Sequence, residues 1–162
     1  ATPDHRMPPP PRRRPVALPP AVFEDSAEAA AHLVRVPEVL VLVDGYNVAM
    51  SIWPAVAPAE LRQRLVDALS ELSARTGAEV HVVFDGAELA GSVARPGGRL
   101  PVRVTFSPPD VEADDVILAM VDGVLPNRPV VVASSDRRVQ EGARSRGANV
   151  VSSAQLGELL GR

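Results

Sequence analysis

Apolar positions along this chain fall into two alternating kinds of run. Short continuous ones, "VLVLV" (39–43), "EVHVVF" (79–84) and "PVVVA" (129–133), have the length and β-branched content of buried strands. "LPVRVTF" (100–106) alternates apolar with polar, as a strand nearer a sheet edge does, and "NVVS" (149–152) is a short last strand. Between them lie longer segments of helical period. In residues 58–76, Leu61, Leu65, Leu69 and Leu72 share one stripe, and Gly77 stops the helix. Residues 110–125 predict a helix opened by Asp110, residues 135–146 a helix closed by Gly147, and residues 153–162 a short final helix. Ahead of the first strand, residues 24–35 are alanine-rich, with Asp25 or Ser26 as N-cap.

Strands alternating with helices predict an α/β fold, a mainly parallel sheet of about five strands with helices on both faces. Such sheets build their sites at the carboxyl ends of the strands, near the switch in strand order. The residues that follow each strand are therefore the ones to read. Asp44 follows strand one, Asp85 strand two, and Asp136 strand four after two serines. Glu112, Asp114 and Asp115 sit in the first turn of the helix after strand three. Carboxylates far apart in sequence should thus meet at one sheet edge.

Each of these residues also has a purely structural reading. The Asp-Gly pairs at 44–45 and 85–86 suit turns in which Gly takes positive φ. Asp136 suits an N-cap, and the 112–115 acids complement a helix dipole. Asn47 serves either as a loop brace or as an amide toward a site. As a set at one edge, the acids point to chemistry. Clustered carboxylates repel unless a cation joins them. An all-oxygen set without His or Cys suits Mg²⁺ or Mn²⁺, and such ions activate water toward phosphodiesters. Asp44, Asp114 and Asp136 are the expected ligands; Asp115, turned about 100° away on its helix, faces a second ion or solvent.

Composition narrows the classes. The 162 residues suffice for one domain and a tail. There is no cysteine, which excludes disulfides and thiol catalysis and fits a cytoplasmic location. All 17 Lys+Arg residues are Arg, so no P-loop lysine or Schiff base is available. No apolar run approaches a membrane span of ~20 residues. Net charge is −3, against tight non-specific nucleic-acid binding. Aromatics make up 3%, which leaves Tyr46 and Trp53 as base-stacking candidates near the first motif. Arg95, Arg99 and Arg103 beside the loop 85–99, and Arg137 and Arg138 after Asp136, are candidates to hold phosphates, or else they balance acidic neighbours. Residues 1–22, dense in Pro and Arg, read as a flexible linker, and 23–36 as a flanking helix.

In this order, "LVDGYNV" with a following Trp, "VVFDG", "EADDVI" and "VVASSD" resemble the NYN domain of the PIN-like nuclease group. The likeness is to the YacP-like branch and to actinobacterial NYN proteins described as RNA-binding; it covers about residues 38–160, within a unit taken as 37–162. The resemblance implies a three-layer α/β/α PIN-like fold, an acidic Mg²⁺ or Mn²⁺ site and action on RNA. It carries Asp44 and Asn47 from the first motif, Asp85 from the second, Asp114 from the third and Asp136 from the fourth. The expected activity is a metal-dependent ribonuclease, an endonuclease; the alternative is a non-catalytic RNA-binding or scaffolding module. A partner such as the ribosome would supply specificity. The Pro/Arg tail and the missing Met at residue 1 fit a further N-terminal domain in a longer chain. A haloacid-dehalogenase-type phosphatase would want an Asp two residues after Asp44, where Tyr46 stands.

Overall fold

The computed structural model describes residues 11–86 and 102–161. Five strands form one sheet: β1 (Leu40–Asp44), β2 (Glu79–Phe84), β3 (Val102–Phe106), β4 (Val130–Ala133) and β5 (Asn149–Val151). Every pairing is parallel, in the order β3-β2-β1-β4-β5. β3 is an edge strand, as its alternation predicts. From β1 the chain winds outward through β2 and β3, then crosses back to β4 on the other side. The reversal of strand order therefore lies between β1 and β4.

Helices cover both faces. On one side α1 (Ala27–Leu33), α2 (Gly45–Ile52), α3 (Pro58–Thr76) and α6 (Ser153–Leu159) pack on Val41, Val43, Val80, Val82 and Phe84. On the other, α4 (Ala113–Gly123) and α5 (Arg137–Ser145) pack on Leu40, Leu42, Val83, Val130 and Val132. Alternate residues of β1 thus enter opposite cores, as the period-2 geometry of a strand requires, and both faces are apolar because both are covered.

The longest helix follows its sequence closely. Leu61, Leu65, Leu69 and Leu72 are buried, Pro58 opens α3, and Gly77 closes it in the left-handed conformation, its N–H reaching Ser73 O at 2.8 Å.

Three local expectations are corrected. Gly45 does not turn with positive φ: it is the first residue of α2, a helix that the strand-end turn reading passes over. It is glycine because a Cβ there would lie 2.4 Å from the Phe84 ring and 2.8 Å from Val83 O. The helix after β3 opens at Ala113 with Glu112 at the N-cap, while Asp110 lies in the preceding turn at φ 68°. Finally, residues 13–18 do not behave as a free linker. Arg13 donates to the carbonyls of Val121, Val124, Leu125 and Arg128 around the end of α4. The Asn149 side chain pairs both ways with the Val16 backbone, at 2.7 and 3.0 Å, and Val16 and Leu18 pack on the core. No helix of the described residues is long and apolar enough to cross a membrane.

Candidate active site

β1 delivers Asp44 to the carboxyl edge of the sheet as its last residue, and the same residue is the N-cap of α2. β4 ends one register step away, and Ser134 follows it. Ser134 is fully buried; its Oγ donates to Asp44 Oδ2 at 2.7 Å and accepts from the Asp136 amide at 3.0 Å. The strand-order switch thereby brings residues 44 and 136 to one hydroxyl.

Asp44 is mostly buried, and burial pushes its carboxyl up to about 6. The Ser134 hydrogen bond opposes that rise, while Asp136, Asp85 and Asp114 add repulsion to it. The other three expected aspartates are therefore close enough for their charges to act on Asp44. Burial without a counter-charge is the condition under which a carboxylate favours a cation or a proton.

Two of the acids also build helix starts. Asp136 Oδ1 accepts from the amides of Arg138 (2.9 Å) and Val139 (3.2 Å) and so caps α5. Asp85 Oδ1 accepts from Ala113 N at 2.7 Å, and Ser107 Oγ donates to it at 3.3 Å. The carboxylate after β2 thus secures the first turn of α4, the turn that carries Asp114. Asn47 is a brace: its Oδ1 accepts from Ser135 N at 2.8 Å and from Ser153 Oγ at 2.7 Å, tying α2 to the loop after β4 and to α6.

The closest carboxylate group among the described residues is not Asp44, Asp114 and Asp136. It is Glu112, Asp114 and Asp115, which offer oxygens within 4.8 Å of one another. Arg138 lies across them. Its Nη1 reaches Asp114 Oδ2 at 2.9 Å and Glu112 Oε2 at 3.2 Å, and its Nη2 reaches Asp115 Oδ1 at 2.9 Å. Glu112 is raised above the ordinary carboxyl range, chiefly by the charge of Asp114. Asp115 is exposed and shares the Arg138 guanidinium with Asp114.

The expected phosphate and base contacts divide differently. Arg103 pairs in register with His81, near the start of β2, and lies 3.9 Å from Glu79. Parallel strands run from there toward the acids, so Arg103 belongs to the opposite end of the sheet. Arg137 is exposed and bonded at 3.0 Å to Glu141 on its own helix. Tyr46 is no open stacking platform: its ring packs at 5.0 Å from Phe84, and its hydroxyl accepts from the buried Arg62 at 2.8 Å. Trp53, at the C-cap of α2, also packs against the core. Arg95 and Arg99 lie outside the described residues.

The serines were the residues hidden in the sequence. Ser134, Ser135 and Ser153 connect the acids and Asn47, and Ser135 Oγ accepts from Ser153 N at 2.9 Å. The mark they left was a Ser-Ser pair between an apolar strand and an acid.

The donor set is all oxygen, drawn from carboxylates that repel one another around a buried Asp44, with an arginine drawn onto its outer members. That chemistry fits a hard divalent cation. Among the described residues, Glu112, Asp114 and Asp115 are the group whose spacing could hold one.

Residues 41–162 match the family model of the YacP-like NYN domain. Two crystal structures of Rae1 (YacP) from Bacillus subtilis, one of them a point mutant, have the same fold. Each is 28% identical to this chain with a TM-score of 0.62; the alignments cover 75% of this chain and 74% and 73% of theirs. No curated protein matches the chain.

Proposed function

Since this chain belongs to the YacP-like NYN family, whose members are generally nucleases acting on RNA, we propose that it is a Mg²⁺- or Mn²⁺-dependent ribonuclease. The observation that supports this reading is Asp44 at the strand-order switch, bonded to Ser134 and raised by burial and by the charges of Asp136, Asp85 and Asp114.

The contacts support the following division of roles. Asp44, Asp114 and Asp136 hold the ion, which when bound supplies Lewis acidity toward the scissile phosphate. Ser134 keeps Asp44 and Asp136 in register. Asp85 acts one step back, through the α4 turn that carries Asp114. Asn47 acts through the loop it braces. Arg137 and Arg138, at the start of α5, are our candidates to meet phosphates along the strand.

The second reading is an RNA-binding module that does not cut. Arg138 favours it, because it already pairs with the outer carboxylates.

End-labelled single-stranded and structured RNAs, incubated with Mn²⁺, Mg²⁺ or EDTA, separate the two. Metal-dependent cutting that is lost in Asp44→Asn supports the nuclease, and internal fragments identify an endonuclease. A folded, Mn²⁺-binding chain that retains RNA but leaves it intact selects the binding module.

A further inference from the structure

We propose that Arg138 competes with a divalent ion for Asp114. This rests on the metal-dependent reading above and concerns how strongly the site takes its ion.

The guanidinium spans two consecutive helices, reaching from α5 to three carboxylates at the start of α4. Those carboxylates converge to within 4.8 Å, a spacing at which they repel unless a positive charge sits among them. Their exposures differ. Glu112 and Asp115 face solvent, but the Asp114 side chain is only 12% exposed and is also one of the charges acting on Asp44. Asp114 is therefore the residue that the inner acids and Arg138 share. A guanidinium on Asp114 Oδ2 and a divalent ion on the same carboxylate carry like charges at close range, so each weakens the other.

The side chain is free to leave. Arg138 is 61% exposed, and its departure does not disturb the helix, because the cap of α5 runs through its backbone amide to Asp136. The neighbouring Arg137 is a built-in comparison. It adds the same charge one residue away, but it bonds Glu141 and touches none of the three acids.

Calorimetric titration of Mn²⁺ into wild type, Arg138→Gln and Arg137→Gln in low salt tests the idea, with thermal melts to verify folding and Arg138→Met as a second variant that keeps the apolar stem. Removing Arg138 should tighten Mn²⁺ binding by at least about 3-fold, the low end of three exposed ion pairs summed. Removing Arg137 should change it by less than about 2-fold. Equal tightening in both variants would overturn the proposal, since general charge would then be acting. Unchanged or weaker binding without Arg138 would overturn it alone and leave the metal site standing. Absence of Mn²⁺ binding in wild type and both Arg138 variants would remove the metal reading, and the proposal with it.

Discussion

One buried hydroxyl joins the two halves of the site: Ser134 donates to Asp44 at 2.7 Å while accepting from the amide of Asp136 at 3.0 Å. Its replacement by Ala leaves a buried carboxylate without its donor and an amide without its acceptor. Ser134→Ala is expected to lose about 1–3 kcal/mol of stability, read as a shift in the denaturation midpoint at pH 7.5. Mn²⁺ affinity should fall with it. An unchanged midpoint would mean that water replaces the hydroxyl and that the two aspartates are aligned by other contacts.

Asp44 makes stability depend on pH. Its folded-state pKa is raised from 3.8 to about 6, mainly by burial. The folded protein therefore takes up the proton before the unfolded chain does. The resulting stabilisation is fully present below pH about 4 and is lost as pH rises through about 6, amounting to at most about 3 kcal/mol. Asp44→Asn cannot lose it. In EDTA, the variant should gain stability over wild type as pH rises from about 4 through about 6 and keep that gain above it, seen as melting temperatures that diverge across that window. Parallel curves would show that Asp44 is not destabilised by its surroundings.

Gly45 is held by contact, not by a special dihedral angle. A Cβ would meet the Phe84 ring at 2.4 and 2.5 Å. That ring cannot retreat easily, since it is packed against Tyr46 at 5.0 Å and Phe106 at 5.7 Å. Gly45→Ala should cost about 1–3 kcal/mol through overpacking and lower the melting temperature by several degrees. Because α2 starts there, metal affinity should fall as well. A neutral substitution would mean that α2 can shift away from β2 without penalty.

Arg13 ties the N-terminal segment to the far side of the domain through four carbonyls at the end of α4. Two of them, Val121 and Leu125, also accept a backbone N–H, and the half-buried guanidinium adds a positive charge at the C-terminal end of α4. Arg13→Ala is expected to lower stability by about 1–3 kcal/mol, while cleavage of RNA per folded molecule is unchanged. Truncation to residue 19 should lose at least as much. Equal melting temperatures for wild type and truncated chains would return the segment to a free linker.

Much of this protein is determined by short-range pattern. The bounds of α3, 58–76, follow from a leucine stripe between Pro58 and Gly77, and β2 from six residues ahead of an Asp-Gly pair. The approach of Asp44, Asp85, Asp114 and Asp136 follows as well, because in a parallel sheet every strand end and the start of every following helix lie at the same edge. Only the tertiary structure decided which contacts those acids make. Ser134 lies 90 residues from Asp44, Arg138 lies 24 from Asp114, and Arg13 lies over a hundred from the carbonyls it caps. The helix at Gly45 depends on the Phe84 ring beside it, and the end of the sheet to which Arg103 belongs depends on its register with His81. Local periodicity reports which face a residue takes. The partner it meets there is set by strand order and side-chain packing, which no window of neighbouring residues contains.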